Sequence, residues 1–308
     1  MKKTIYLDWN IFQDIIQSRQ DERLKENIDA AVRQGYRIVY SSAHMRDLSR
    51  CRNEEYIKAD IAEVSRIARN SCVVLKSGNN ELACVQVHPD EVLRGVREQQ
   101  KYDATANLET RVFFPSFNVD MSKVPEENIF RLHLQNSGGV MSSEIMELVL
   151  SELCQNLFDD HNLQKKFRDS FSGLAPLNNP VVVELLKMPF FIHLLSSKEE
   201  IVDHIKEIMN SFLAVSGKSL DSIPLGEKIT TTYGMLNFFP VFSEHLKKRN
   251  NFNNMAADAE HVLFASGATF FVCGDEKLVE KANIVYRSFG IKTRVRSRTR
   301  FIEGMTIV

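Results

Sequence analysis

Short apolar runs at both ends of the chain alternate with segments of helical periodicity. Thr4 to Leu7, Arg37 to Tyr40 and Thr269 to Cys273 have the composition of buried strands. Amphipathic spacing over Ile11 to Gln34 predicts one or two helices, and that over Asn254 to Gly267 predicts another. Strands that alternate with helices indicate an α/β fold with a parallel sheet and right-handed crossovers.

The long middle of the chain is predicted to be mostly helical. Helical spacing covers Glu54 to Asn70 and Pro89 to Lys101, and two apolar runs, Cys72 to Lys76 and Ala83 to Val87, predict an antiparallel pair of strands. Further helices are predicted at residues 142–158, 163–171, 180–195, 197–215 and 227–248. The pattern therefore predicts a core built from residues 1–50 and 250–308, interrupted by a mostly α-helical insertion at residues 51–249.

Four aspartates lie beside the predicted strands. Asp8 directly follows the first strand, and Asp275 lies two residues beyond the last. Asp47 lies one turn into the helix after the second strand, and Asp258 lies on the helix that leads into the last strand. Because the carboxyl ends of parallel strands open on one edge of a sheet, we expect these side chains to face one another. Asp8 and Asp275 also stand where residues commonly cap the following helix, so the sequence leaves both roles open.

A cation is expected among these acids. Four carboxylates in one crevice repel one another and resist ionisation unless a positive charge compensates them. Oxygen ligands without a cysteine or histidine cluster favour Mg²⁺ or Mn²⁺ over zinc. The sequence therefore predicts a divalent metal held by Asp8, Asp47, Asp258 and Asp275.

Side chains close to the acids are candidates for assisting them. Asn10 lies two residues past Asp8 and is suited to bind phosphate, to steady a metal-bound water or to cap a helix. His261 lies one turn beyond Asp258 on the same helical face, where a histidine acts either as a partner of the acid or as a buried core residue. The same two interpretations apply to His44.

Four segments together resemble PIN-like nucleases. They are Ile5-Tyr-Leu-Asp8-Trp-Asn10, Ser41-Ser-Ala-His44-Met-Arg-Asp47-Leu48, Asp258-Ala-Glu-His261 and Phe271-Val-Cys273-Gly-Asp275. The resemblance implies a Rossmann-like sheet whose acidic cluster binds one or two divalent metals and hydrolyses phosphodiester bonds, usually in RNA. Asp8, Asp258 and Asp275 match the family's acids. Asp47 stands where glutamate is more usual, and Cys273, another candidate for the site, stands where threonine or serine is more usual.

The resemblance implies a metal-dependent endoribonuclease that cuts single-stranded RNA or a loop, and such nucleases often act as toxins or in defence against phage. Two other functions stay open. One is a flap-type or single-strand DNA nuclease, and the other is a catalytically degenerate scaffold or binding module, which Asp47 and Cys273 favour. The helical insertion is expected to select the substrate, to contact a regulatory protein or to form a homo-oligomer.

A basic stripe near the C-terminal end is a candidate nucleic-acid contact. Lys292, Arg294, Arg296, Arg298 and Arg300 alternate with uncharged residues. On one extended strand all five cations would lie on one face, at a spacing comparable with that of the phosphates of a single strand. An edge strand protected from aggregation by charge, or a hairpin that turns near Ser297, would explain the pattern equally well.

Composition narrows the remaining possibilities. The formal net charge is −1, so any binding of a polyanion must come from a local patch. The five cysteines are odd in number and form no C-x-x-C pair, which argues against a disulfide framework or a zinc ribbon and for a reducing cytoplasm. No signal peptide and no bilayer-spanning stretch are evident, so we expect a soluble cytoplasmic protein with no membrane partner.

Overall fold

The computed structural model describes residues 3–19, 22–76, 81–106, 117–118, 121–123, 131–141, 196–214, 218–237, 239, 241–242 and 252–303. The helices predicted at 142–158, 163–171 and 180–195 lie outside these residues. The chain divides into two compact units. The first comprises Met1–Leu108, Pro224–Tyr233 and Ala256–Val308, and the second comprises Glu109–Ile223 and Gly234–Met255.

The helices and strands of the described residues are numbered here in chain order. They are β1 Thr4–Leu7, α1 Trp9–Ile16, α2 Arg23–Arg33, β2 Arg37–Ser41, α3 Ser42–Leu48, α4 Glu54–Ala68, β3 Ser71–Leu75, β4 Leu82–Gln86, α5 Pro89–Ala106, β5 Phe117–Asn118, α6 Arg131–Asn136, β6 Val140–Met141, α7 Lys198–Asp203, α8 Ile205–Ala214, α9 Leu225–Leu236, α10 Phe252–Ala265, β7 Phe270–Cys273, α11 Glu276–Ser288, β8 Arg294–Ser297 and α12 Arg298–Glu303. Short 3₁₀ turns lie at Met121–Lys123 and Leu220–Ser222.

A six-stranded sheet forms the framework of the first unit. Its strand order is β4-β3-β2-β1-β7-β8. Neighbouring strands are parallel except for β3 and β4, which pair antiparallel. The predicted α/β class with a mostly parallel sheet is therefore confirmed, as is the predicted antiparallel pair.

The adjacent strands β1 and β7 mark the point where the strand order reverses. From β1 the chain continues through α1 and α2 to β2 on one side, whereas from β7 it continues through α11 to β8 on the other. In open α/β sheets a ligand crevice forms beyond the carboxyl ends of two such strands. Leu7 pairs with Val272, and the amide of Asp8 donates to the carbonyl of Val272 at 2.9 Å. The topology therefore brings the ends of β1 and β7 side by side.

Apolar side chains cover both faces of this sheet. On one face the strands pack against α1, α2, α4, α5 and α12 through Ile5, Leu7, Phe12, Leu24, Ile28, Ile38, Tyr40, Val64, Cys72, Leu93, Val272 and Phe301. Alternate strand residues such as Tyr6, Val39 and Phe271 are fully buried and point to the opposite face. There the hydroxyl of Tyr286 in α11 donates to the carbonyl of Val262 in α10 at 2.6 Å. Burial on both faces explains why these strands are continuous apolar runs.

The first unit extends further along the chain than the predicted core of residues 1–50 and 250–308. β3 pairs with β2, β4 pairs with β3, and α4 and α5 contribute to the same apolar core. The predicted boundary at residue 50 therefore falls inside this unit, which also includes Pro224–Tyr233. The apolar runs specified β3 and β4 as strands, but a short run does not specify the strand with which it pairs.

The described part of the second unit contains the antiparallel pair of β5 and β6 and the helices α6, α7 and α8. α7 begins with a capping box between Ser197 and Glu200, in which each side chain bonds the backbone amide of the other residue.

Among the residues that the structure describes, no helix combines the length and the apolar character that crossing a membrane requires.

The five cations of the basic stripe do not share one strand face. β8, the edge strand of the sheet, ends at Ser297, and α12 begins at Arg298. The amide of Arg300 donates to the side chain of Ser297 at 3.4 Å, and Phe301 is buried in the core. Arg298 and Arg300 therefore lie on a helix, and the stripe does not continue as one strand. The edge-strand interpretation holds for Arg294 and Arg296, whereas the hairpin near Ser297 does not form.

Removing the side chain of Phe271 tests the burial of β7 within the sheet. Phe271 is fully buried, so Phe271→Ala should lower the free energy of unfolding by about 3–5 kcal/mol in urea denaturation. Tyr56→Ala is the matched control, because Tyr56 lies on α4 of the same unit and is 66% exposed. Its effect should stay within about 0.5 kcal/mol. Equal costs for the two substitutions would contradict the burial of Phe271 described above.

Candidate functional site

The four aspartates predicted for the site lie around two shared neighbours. Asp8, Asp47 and Asp258 all act electrostatically on the imidazole of His261. Asp8, Asp258 and Asp275 all act on the thiol of Cys273 at the end of β7. The structure thus brings together carboxylates from the end of β1, from α3, from α10 and from the turn after β7.

Asp8 is a buried carboxylate that does not cap its helix. Asp8 stands at the N-cap position of α1 and is only 4% exposed, yet its side chain makes no capping hydrogen bond. The side-chain amide of Asn10 donates through Nδ2 to Oδ2 of Asp8 at 3.4 Å. Burial raises the pKa of Asp8, a nearby charge on His261 opposes the shift, and the charge of Asp47 adds to it. The fold therefore carries a buried charge that it does not use as a helix cap.

Asp275 does cap its helix. Its Oδ1 accepts hydrogen bonds from the amides of Lys277 and Leu278, at 2.7 and 3.2 Å. The capping role that the sequence left open is thus present. Both capping bonds go to the same oxygen, so the cap does not require Oδ2.

His261 is a buried imidazole that lies among the acids. Its Nε2 lies 3.0 Å from Oδ2 of Asp47, its Nδ1 lies 2.8 Å from the hydroxyl of Tyr6, and the side chain is 1% exposed. Burial lowers the pKa of His261, but its hydrogen bond to Asp47 and the charges of Asp8, Asp47 and Asp258 outweigh this effect and raise the pKa. The imidazolium form is therefore favoured. From the sequence, a metal alone was expected to compensate the negative charge of the acids. In the structure, a protonated His261 would compensate part of it.

A chain of buried hydrogen bonds connects His261 to the two central strands. When His261 is protonated, its Nδ1–H donates to the oxygen of Tyr6, whose hydroxyl donates to Oγ of Ser41 at 2.7 Å. The amide of Ser41 donates to Nδ1 of His44 at 3.0 Å, and Nε2–H of His44 donates to the carbonyl of Leu7 at 2.6 Å. These bonds join α10, β1, β2 and α3. Such a satisfied buried network restricts the positions of the elements that carry it.

His44 has the structural role of a buried residue, one of the two interpretations that the sequence left open. Both ring nitrogens are used within the fold, one by the backbone of Ser41 and the other by the backbone of Leu7. Burial and a nearby charge on His261 lower the pKa of His44 to about 3, so the ring stays neutral. Together with Ser41, His44 forms the capping box of α3.

Asp47 is engaged at both carboxylate oxygens. Oδ2 is bound by His261, and Oδ1 lies 3.4 Å from the guanidinium of Arg50. Burial raises the pKa of Asp47, but the hydrogen bond and charge of His261 and the charge of Arg50 lower it overall. The contact of Asp47 with His261 joins α3 to α10, and an ion pair between Arg46 and Glu260 joins the same two helices. Asp47 is therefore better placed to orient His261 than to bind a metal directly.

Cys273 is an inert thiol at the end of β7. Its Sγ–H donates to the carbonyl of Asp275 at 3.2 Å. Burial and the charge of Asp8 raise its pKa well above the ordinary value, so the thiol stays protonated. Cys273 helps to hold the turn that carries Asp275, and it is not a nucleophile.

A cleft of about 520 Å³ opens between α1 and the turn after β7. Its lining includes Asn10, Gln13, Asp14, Arg19, Asp275 and Arg298. Arg298, one of the five predicted basic residues, lines this cleft. Its Nη1 lies 2.5 Å from Oδ2 of Asp14. Asp14 and Arg19 were not among the residues predicted for the site. A usable signal was present, because the helical spacing of Asn10, Gln13 and Asp14 places them on one polar face of α1.

The acids fit Mg²⁺ or Mn²⁺ in the kind of ligand they offer. Within the described parts of the chain, no group of three or more histidine, cysteine, aspartate or glutamate side chains is arranged to hold one metal ion. Mg²⁺, however, is usually bound by one or two protein carboxylates together with waters and substrate phosphates. The carboxylate oxygens of Asp8, Asp258 and Asp275 are ligands of this kind.

Comparison of the chain with family models, with characterised proteins and with solved structures finds no match. The resemblance to PIN-like nucleases therefore depends on the four quoted segments alone. The function that it implies stays a prediction, to be judged on the geometry of the acids.

Replacing Asp8 should stabilise the protein. Because the pKa of Asp8 is raised in the fold, its stability contribution is present at a pH below the ordinary value of 3.8 and is lost as the pH rises through the folded pKa. Asp8→Asn should therefore raise the melting temperature at neutral pH, and the gain should shrink as the pH falls. The exposed Asp29, on α2, provides the control Asp29→Asn, which should leave the melting temperature nearly unchanged. A lower melting temperature for Asp8→Asn would mean that the fold needs this carboxylate.

Two substitutions at Asp275 separate its cap from its charge. Asp275→Ala removes two hydrogen bonds at the start of α11 and should cost about 1 kcal/mol of unfolding free energy, measured by denaturant titration. Asp275→Asn keeps a capping oxygen and should cost a few tenths of a kcal/mol at most, since asparagine caps about as well as aspartate. If both variants lose the same stability, the cap is not what Asp275 contributes to the fold.

Proposed function

We propose that this chain is a PIN-like, metal-dependent endonuclease that hydrolyses phosphodiester bonds in RNA. The observation that carries the proposal is that the charges of Asp8, Asp258 and Asp275 all act on the thiol of Cys273, at the carboxyl end of β7, where the strand order reverses. Asp8 supports it most strongly. A buried carboxylate with a raised pKa and no capping role is typical of functional sites, which keep groups that the fold alone would not select.

The proposed roles follow from the contacts of each side chain. Asp8, Asp258 and Asp275 would hold Mg²⁺ or Mn²⁺, which supplies a nucleophile from water at neutral pH and neutralises charge on the phosphate. Asn10 donates to Asp8 and orients its carboxylate. The cap bonds at Oδ1 of Asp275 fix the direction of Oδ2.

His261 and Asp47 are positioning residues in this proposal. The imidazolium of His261 limits the repulsion among Asp8, Asp47 and Asp258 before any metal binds. Asp47 holds the imidazole by its Nε2, and Tyr6 holds it by its Nδ1. The acids thereby keep their places relative to β1 and β2, in which Tyr6 and Ser41 lie.

A second candidate function is a scaffold or binding module that needs no metal. The observation that favours it is the pairing of Asp47 with His261 and Arg50, because these cations already compensate part of the acidic charge. The toxin or defence role implied by the resemblance stays a prediction, as does action on DNA.

Incubation with single-stranded RNA and Mn²⁺ or Mg²⁺ tests the proposed activity. Cleavage should depend on the metal, and Asp8→Asn and Asp275→Asn should each lower the rate by more than the ~10–100-fold typical of outer-shell residues. Both variants are expected to fold, so lost activity would report on their charges. Asp29→Asn should keep the wild-type rate. A matched DNA oligonucleotide separates the two classes of nuclease.

Two outcomes would contradict the nuclease proposal. Cleavage that survives Asp8→Asn and Asp275→Asn alike would not come from these acids. Absence of cleavage by the folded wild type, with both metals and both nucleic acids, would favour the scaffold.

A further inference from the structure

The cleft beside the acids contains an arginine that the proposed chemistry does not use. Arg298 is the first residue of α12, and its side chain is 28% exposed. Its Nη1 lies 2.5 Å from Oδ2 of Asp14 on α1, and the Asp14 side chain is only 9% exposed. This ion pair joins two helices across the cleft. It engages one nitrogen of the guanidinium, a group that presents five N–H donors in a planar fork.

The guanidinium of Arg298 lies close to the acids. A Cβ placed on Gly274, at the end of β7, would be 3.6 Å from Nη1 of Arg298 and 3.9 Å from Cβ of Asn10. Asn10 in turn donates to Asp8, and Asp275 directly follows Gly274. A polyanion bound with one phosphate at the acids would therefore extend into the cleft beside Arg298.

The chemistry of the cleft favours a sugar-phosphate over a base. Apart from Gly274, its described lining consists of charged and amide side chains: the guanidinium groups of Arg19 and Arg298, the amides of Asn10 and Gln13, and the carboxylates of Asp14, Asp275 and Glu276. Stacking of bases requires aromatic rings, whereas phosphates are bound by guanidinium and amide donors. Arg19, which also lines the cleft, adds a second guanidinium. Binding here would therefore not discriminate among base sequences.

We propose that Arg298 binds a backbone phosphate of the nucleic-acid substrate next to the bond that is cleaved, and that it exchanges its ion pair with the competing carboxylate of Asp14 for this phosphate when substrate binds. This inference rests on the proposed nuclease function and adds a substrate subsite to it. Of the five cations of the basic stripe, Arg298 is thus the one that contacts the substrate phosphate. Arg296 lies on β8, opposite Val272, and Arg294 lies over the ring of Phe270 at 5.8 Å.

The test measures binding of a fluorescein-labelled single-stranded RNA hexanucleotide in EDTA, where cleavage does not interfere. Arg298→Gln should weaken binding about 10-fold or more, because a hydrogen-bonded contact with a charged group is lost. It should also reduce the slope of log K against log salt by about 0.7, the value for one phosphate contact on a single strand. Arg296→Gln removes the same charge two residues away on the neighbouring strand, and should change affinity less than about 2-fold.

Asp14→Asn decides between a subsite and a purely structural ion pair. Both Arg298→Gln and Asp14→Asn break the same ion pair, so a structural effect would weaken binding in both variants. If Arg298 binds phosphate, Asp14→Asn should instead tighten binding, because the competing carboxylate charge is gone. Weaker binding in both variants, or no change in Arg298→Gln, would overturn the subsite.

The subsite and the nuclease proposal fail independently. RNA that binds with the predicted dependence on Arg298 and Asp14, but is not cut with Mn²⁺, would support the subsite and contradict the nuclease. Cleavage with an unchanged KM in Arg298→Gln would support the nuclease and contradict the subsite.

Discussion

The site depends on the buried imidazole of His261, whose protonated form its acidic neighbours favour. Burial by itself would keep this ring neutral, yet Asp47 at 3.0 Å and the charges of Asp8 and Asp258 favour its protonated form. In return, the positive charge allows carboxylates from three separate segments to approach one another. If the ring were neutral, the repulsion among these acids would have no compensation from His261.

The same histidine transmits the geometry of the sheet to the acids. Its contact with Tyr6 continues through Ser41 to His44, which bonds the carbonyl of Leu7, the residue before Asp8. The network therefore begins at Asp47 and returns to the strand that presents Asp8. Because every described member of this path has a hydrogen-bond partner, the network stabilises the fold while it positions charges that destabilise it. Asp8 and Asp275 differ in how the fold uses them. Asp8 is a buried carboxyl group that caps no helix, whereas Asp275 uses one of its oxygens for a cap.

The elements were predictable because apolar runs and helical spacing are local signals, and the edge that carries the acids follows from the order of those elements. Asp8 and Asp275 could therefore be placed together from the sequence. The role of His261 could not, because its partners Asp47 and Tyr6 are distant in sequence and no local pattern links them. The basic stripe misled for a related reason. Its alternation favoured one strand, but the strand ends at Ser297 and a helix begins at Arg298.

The central claim is that the converging acids bind a divalent cation beside Asp8, and fluorescence offers its most direct measurement. Trp9 is the only tryptophan of the chain, it follows Asp8, and its ring lies 6.5 Å from the ring of His44. Titration with Mn²⁺, a paramagnetic quencher, should give saturable quenching of Trp9 in the wild type. The quenching should be lost in Asp8→Asn and in Asp258→Asn. Quenching that is absent from the wild type, or that persists unchanged in both variants, would contradict the account.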